Sequence, residues 1–156
     1  MPSKHHDLDE MDRKILRQVQ RDCTVAVTAL AEALHLSTNA CWRRLKALRE
    51  TGVIAKEVAI LDHDKVDKGM TVFVLVRTRE HSEAWLQKFS DGIRAIADVL
   101  EFHRLNGDFD YLLKIAVADV ADYDRVYKKL IRTVPLFDVS SYFSMECIKD
   151  TTEVPV

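Results

Sequence analysis

The sequence predicts a two-part α+β chain, with a winged-type head of three short helices followed by an extended linker and a sheet domain of order β-α-β-β-α-β. Three observations carry this prediction. Between Leu8 and Arg49, apolar residues recur three and four apart in three segments separated by polar turns. From Ala55 onward the period changes to two, with a β-branched and aromatic run from Met70 to Thr78. The later strands alternate with two amphipathic segments, as in a sheet carrying helices on one face.

In the first segment Leu8, Met11, Ile15, Leu16 and Val19 keep helical period, and Asp9, Glu10 and Asp12 suit the positive end of a helix dipole. The second runs from Thr28 to His35, with Thr28 as the expected N-cap and Leu30 and Leu34 pointing inward one turn apart. Ser37 is the expected N-cap of the third, which ends at Gly52 before the apolar pair Val53-Ile54. On this third helix Cys41, Leu45 and Leu48 share one face, with Trp42 beside them, while Asn39, Arg43, Lys46 and Ala47 share the other.

A basic helix face is usually ordinary solvated surface. Here two short helices joined by about three residues precede and include it, which is the helix-turn-helix arrangement. Between Leu36 and Arg49 stand Arg43, Arg44, Lys46 and Arg49, with no acid. Arg and Lys neutralise phosphates, and Arg and Asn can pair bidentately with base edges. The residues expected at double-stranded DNA are Thr28, Ser37, Thr38, Asn39, Arg43, Arg44 and Lys46.

The second part opens with a short extended segment, Ala55 to Leu61, and a turn closed by Gly69. A strand over Met70–Thr78 is followed by a helix beginning at Ser82 that carries Trp85, Leu86, Phe89, Ile93 and Ile96. Strands over Val99–Leu105 and Phe109–Val117 flank the turn Asn106-Gly107-Asp108. Asp119 caps a second helix, Pro135 ends it, and Val139–Ile148 alternates as a last strand. This order is the split βαβ, or ferredoxin-like (ACT-like), plan. The helices would cover one face of the sheet. Val72, Val74, Val76, Leu113 and Ile115 are expected on the other, which a second copy of the sheet would cover in a symmetric homodimer. The expected divisions are residues 7–54 for the head, 55–69 for a linker strand and turn, and 70–150 for the sheet domain.

Composition narrows the function. The 156 residues are 47% hydrophobic and 31% charged, ordinary for a folded globular chain. No apolar run approaches a membrane span and no secretory pattern opens the sequence, so a cytoplasmic, nucleoid-associated protein is expected. Cys23, Cys41 and Cys147 lack metal or disulfide spacing; Cys41 reads as a packing residue and Cys23 as the better redox-sensor candidate. The polar lead-in Met1 to His6 contains His5 and His6 but too few ligands for a metal site. No catalytic triad, metal-ligand spacing or glycine-rich phosphate loop stands out, so neither an enzyme nor a bound cofactor is expected. Net charge is only −2, so one head would hold DNA weakly, and several heads on one DNA are expected.

Taken together, these segments resemble the Lrp/AsnC family of transcription regulators from about Leu8 to Ile148. The resemblance rests on the opening helix Leu8–Leu16, on Leu36–Leu45 with Gly52-Val53-Ile54 after it, and on Asn106–Lys114, which is similar to the family's Gly-x-x-Asp-Tyr hairpin. Asn39-Ala40 departs from the family's usual residues, which bears on the operator read. The resemblance implies homodimers assembling to a tetramer or octamer, and a free amino acid bound between dimers. Its site would comprise Leu105, Asn106, Gly107, Asp108, Phe109 and Asp110 with Ser140 and Ser141. Gly107 would leave backbone N–H groups approachable for a carboxylate, and Asp108 or Asp110 could accept from the ammonium. By itself Gly107 reads as the left-handed residue of a hairpin turn, with the carboxylates solvated. The implied function is regulation of amino-acid metabolism, the alternative an effector-independent architectural DNA-bridging protein. The segments Asp22-Cys23-Thr24 and Cys41-Trp42 are similar to those of a cysteine-responsive subgroup.

Overall fold

The computed structural model describes residues 7–156; the lead-in Met1 to His6 lies outside the described residues. The chain forms two compact units, one of residues up to Ala59 together with Lys149–Val156, the other Ile60–Ile148.

In the first unit, helices α1 (Glu10–Val19), α2 (Val27–Ala33) and α3 (Thr38–Glu50) enclose Ile15, Leu16, Leu30, Ala31, Cys41, Leu45 and Leu48. Asp9 caps α1 by accepting the Asp12 N–H at 2.8 Å, and Ser37 caps α3 by accepting the Ala40 N–H at 3.2 Å. The start of α2 differs from expectation. Its cap position is Ala26, which has no side-chain acceptor, and Thr28 is already inside the helix and exposed. The Leu30 N–H reaches the Ala26 carbonyl at 3.0 Å, so the first turn forms before Thr28, and burial of Leu30 and Ala31 stabilises α2 in place of a cap.

The turn between α2 and α3 is a Schellman closure. His35 takes φ 55°, its N–H donates to Glu32 O at 3.1 Å, and the Leu36 N–H donates to Ala31 O at 2.8 Å. After α3, Gly52 (φ 76°) reverses the chain and the Ile54 N–H returns to Leu48 O at 3.0 Å. No strand pair follows α3 in this unit among the described residues. The chain's last residues lie against α1, an arrangement with no periodic signature in the sequence. Gln20 pairs with the Val154 backbone in both directions (3.1 and 2.6 Å), Arg17 Nε donates to Val156 O at 2.9 Å, and Val156 packs on the helical core.

The second unit holds strands β1 (Met70–Arg77), β2 (Val99–Arg104), β3 (Tyr111–Val117) and β4 (Asp138–Phe143), with helices α4 (Glu83–Arg94) and α5 (Val120–Leu130). The sheet order is β2-β3-β1-β4 and every pairing is antiparallel. Ser82 and Asp119 cap the two helices as the sequence predicts. The linker differs: residues 55–61 pair with no strand among the described residues, and Val58, Ile60 and Leu61 are exposed. Asp67 (φ 55°), not Gly69, is the left-handed residue of the following turn. Gly69 answers a different need, since a Cβ there would stand 2.0 Å from Asp64 Oδ1.

The sheet's two faces are exchanged relative to the sequence reading. Val72, Val74, Val76, Leu113 and Ile115 pack beneath the helices with Trp85, Phe89, Ile93, Val126 and Leu130. The helix-free face carries Phe73, Leu75, Leu112 and Tyr142, in register across β3, β1 and β4. The reason is local. From Val72 to Leu75 both alternating rows of β1 are apolar, so a period of two marks a strand without saying which row is buried.

Candidate DNA interface and effector site

On α3 the buried row Cys41, Leu45 and Leu48 fixes the opposite side as Asn39, Arg43 and Lys46, all exposed. Arg43 makes no ion pair among the described residues, which leaves its guanidinium available to an external acceptor. Ser37 is committed to its capping bond, while Thr38 and Asn39 in the first turn and Thr28 on α2 are exposed. Burial holds the Cys41 thiol above its ordinary pKa, which suits a packing residue and not a reactive one; Cys23 is exposed.

Arg44 stands apart from this face. Its Nη1 meets Asp12 Oδ1 at 2.7 Å and Asp9 Oδ2 at 2.6 Å, so it clamps α3 to the start of α1. The two carboxylates raise its pKa further. Asp9 in turn is held low by the Asp12 N–H it caps and by Arg44. Arg49 likewise pairs with Glu57 at 2.7 Å. Of the basic residues on α3, Arg43 and Lys46 are the ones presented outward on the face opposite the core.

In the sheet unit, the hairpin between β2 and β3 is closed by the Leu105 N–H on Asp110 O at 2.8 Å. Leu105 to Asp108 are exposed, and Phe109 and Asp110 are half-buried. Asp110 is tied to β1: its N–H donates to Val76 O at 2.9 Å and its Oδ2 accepts the Thr78 N–H at 2.8 Å. Asp108 is therefore the carboxylate left free on this hairpin. Gly107 is not in the left-handed region, and a Cβ there would meet nothing within 4 Å. Neither turn geometry nor crowding within one chain requires glycine at this position.

The two serines of β4 part company. Ser140 lies opposite Leu75 on the helix-free face, with its Oγ 3.5 Å from Asp138. Ser141 lies opposite the buried Val74 and hydrogen-bonds the Tyr123 hydroxyl of α5. Consecutive strand residues point to opposite faces, so the two hydroxyls do not converge on one ligand.

The AsnC-type helix-turn-helix domain matches residues 8–49, and the Lrp/AsnC ligand-binding domain matches residues 71–154. The chain belongs to the Lrp/AsnC family. It is 46% identical over 150 residues to the DNA-binding transcriptional activator DecR of Escherichia coli K12, covering 96% of this chain and 99% of that one. It is 48% identical over 149 residues to the glutamate uptake regulatory protein of Zymomonas mobilis, covering 96% and 91%. Its structure is similar to that of an AsnC family transcriptional regulator from Agrobacterium tumefaciens, with TM-score 0.92, 50% identity, and coverage of 95% and 97%. A regulator from Neisseria meningitidis in complex with L-methionine matches with TM-score 0.90 and 31% identity, covering 95% and 96%.

As an Lrp/AsnC protein, the chain is a DNA-binding transcriptional regulator. Two features of this member escape a sequence reading. Trp42 is exposed, not tucked beside the core, and Lys46 Nζ lies 5.2 Å from its ring centre, so the exposed face of α3 has an aromatic edge. Arg77 and Arg79 lie over Phe109 and Phe137 at 4.5 and 3.9 Å, bringing two cations to the hairpin and to the segment before β4. Arg77 ends the row Phe73, Leu75, Arg77, which the structure turns away from the helices.

Proposed function

We propose that this Lrp/AsnC regulator controls genes of amino-acid metabolism, and that a free amino acid bound between dimers at the β2–β3 hairpin alters which assemblies hold DNA. Gly107 carries this reading. A glycine free of turn strain and of crowding in one chain is explained by something that approaches the backbone from outside it. Exposed Asp108 supplies an acceptor for an ammonium, and Ser140 a hydroxyl on the helix-free face, whereas Ser141 is engaged with Tyr123. Relatives named for glutamate uptake, and one captured with L-methionine, support an amino acid as the ligand class. Asn39, Arg43 and Lys46, with Thr28 and Thr38 beside them, read the operator, while Ser37 and Arg44 hold the helix in place. Phe73 and Tyr142 support a sheet-to-sheet homodimer as the building block of a larger assembly.

The test is fluorescence-anisotropy titration of operator DNA with and without each of the twenty amino acids, for the wild type and Gly107→Phe. The wild type is expected to shift affinity or stoichiometry with one amino acid, and Gly107→Phe to bind DNA equally but ignore that amino acid. A variant that still responds removes the hairpin from the effector site. A wild type that responds to none leaves the DNA-bridging role without an effector.

A further inference from the structure

Arg77 is the last residue of β1, in the row that faces away from the helices. Hydrogen bonds place it between two segments far apart in sequence. On one side the Asp110 N–H donates to Val76 O at 2.9 Å, and the Thr78 N–H donates to Asp110 Oδ2 at 2.8 Å. On the other side the Phe137 N–H donates to Arg77 O at 3.0 Å, and Asp138 is the cross-strand partner of Arg77. These are the hairpin and the start of β4, the two segments to which the proposed function assigns the effector.

The guanidinium is held but not satisfied. Its carbon lies 4.5 Å from the centre of the Phe109 ring, so the group rests on the hairpin. Its Nε is buried and meets no hydrogen-bond partner among the described residues. Neither Asp110, whose Oδ2 takes the Thr78 N–H, nor Asp138 forms an ion pair with it there. The Arg77 Nη groups also make no hydrogen bond or ion pair among the described residues, and the side chain is only half-buried, so the charged end is open to an acceptor that would strengthen its hold. An acceptor from outside the chain can reach these Nη groups, whereas the Nε is covered by the chain itself.

We infer that Arg77 binds the carboxylate of the amino-acid effector, donating one N–H from each Nη to its two oxygens. The inference rests on the proposed function and adds to it the group that recognises the acid end of the ligand. A planar guanidinium fits a carboxylate at two points, and stacking on Phe109 fixes its plane in advance. Exposed Asp108 then takes the ammonium, so the site selects free α-amino acids over their esters and amides. The same carboxylate chemistry is offered by an acidic side chain of a second copy of the chain, and the experiment separates the two sources.

The full chain is titrated calorimetrically with the amino acid that gives the largest thermal shift among the twenty, and with its methyl ester. Arg77→Gln and Arg77→Lys are titrated in parallel, and sedimentation velocity is recorded for each. Loss of a charge-assisted pair predicts that the ester, and the free acid on Arg77→Gln, bind about tenfold more weakly or worse. Arg77→Lys should fall between, because it keeps the charge without the fork. The oligomer and effector-free operator affinity should not change. Undiminished binding by Arg77→Gln overturns the assignment and leaves the effector reading standing. A changed oligomer with intact binding assigns the carboxylate to the second copy and also overturns it. A wild type that binds none of the twenty removes the effector reading itself, and Arg77's role with it.

Discussion

Arg43 and Arg44 are adjacent on α3, identical in chemistry, and placed in opposite circumstances. Arg43 faces away from the helical core without an ion pair among the described residues; Arg44 turns to α1 and joins Asp9 and Asp12. Their alanine variants should therefore fail differently. Arg43→Ala should retain the wild-type melting temperature and lose about 1–3 kcal/mol of discrimination between operator and mutated operator, the scale of one bidentate base contact. Arg44→Ala should lower the melting temperature of the head and weaken all DNA sequences alike, through loss of a well-placed α3. Competition binding against scrambled DNA, paired with thermal unfolding, checks both. A stable Arg44→Ala protein that has lost only discrimination would reverse the two assignments. Sequence could not separate the pair, because both lie outside the apolar row. Only the approach of α1 decides which arginine meets an acid.

At the level of elements, helices were the more legible part, because a period of 3.6 names the buried side together with the element. Ser37, Ser82 and Asp119 mark their helix starts, and each side chain makes the expected capping bond. The turn before α2 was not legible, since Ala26 leaves no chemical mark and burial sets the start. On β1 the strand was legible and its face was not; Ser140 and Ser141 were grouped by the family resemblance, and the pleat parts them. Ion pairs between elements were invisible for the same reason as Arg44. Lys68, ahead of β1, meets Asp98 at 2.8 Å and Asp122 of α5 at 3.1 Å, and Arg125 reaches both acids. Arg125, the Ala118 N–H and Lys68 lower the Asp122 carboxyl from 3.8 to about 2. Burial works against Asp98, yet Lys68 and Arg125 leave its pKa below the ordinary value. Carboxyls lowered in the folded state contribute stability that is fully present above the unfolded value near 4 and lost as pH falls toward 2. The melting temperature should drop over that window, and Lys68→Met should flatten the drop without abolishing it, because Arg125 remains. An unchanged profile in Lys68→Met would show that Lys68 contributes nothing to this dependence.

For the whole molecule, charge and assembly are one problem. The chain carries a net charge of −2, and the exposed face of α3 offers few unpaired cations, so a single head gains little from phosphate neutralisation. Linking two heads makes the second binding event intramolecular and raises affinity without new contacts. The proposed homodimer would link them through the helix-free side of the sheet, where Phe73 is 37% and Tyr142 53% exposed beside half-buried Leu75 and Leu112. An isologous sheet-to-sheet contact would bury each of these residues twice by symmetry, so one charged substitution is repeated across the interface. Phe73→Asp should therefore sediment as a monomer with unchanged helix content, since Phe73 lies outside the core beneath α4 and α5. Its operator affinity should fall by about 10²–10⁴, the usual gain from bivalence. The residual binding should be salt-sensitive and nearly blind to half-site spacing, because one head cannot measure the distance between two half-sites. A Phe73→Asp protein that remains dimeric, or a monomer that binds the full operator as tightly as the wild type, would separate assembly from this face or DNA affinity from assembly.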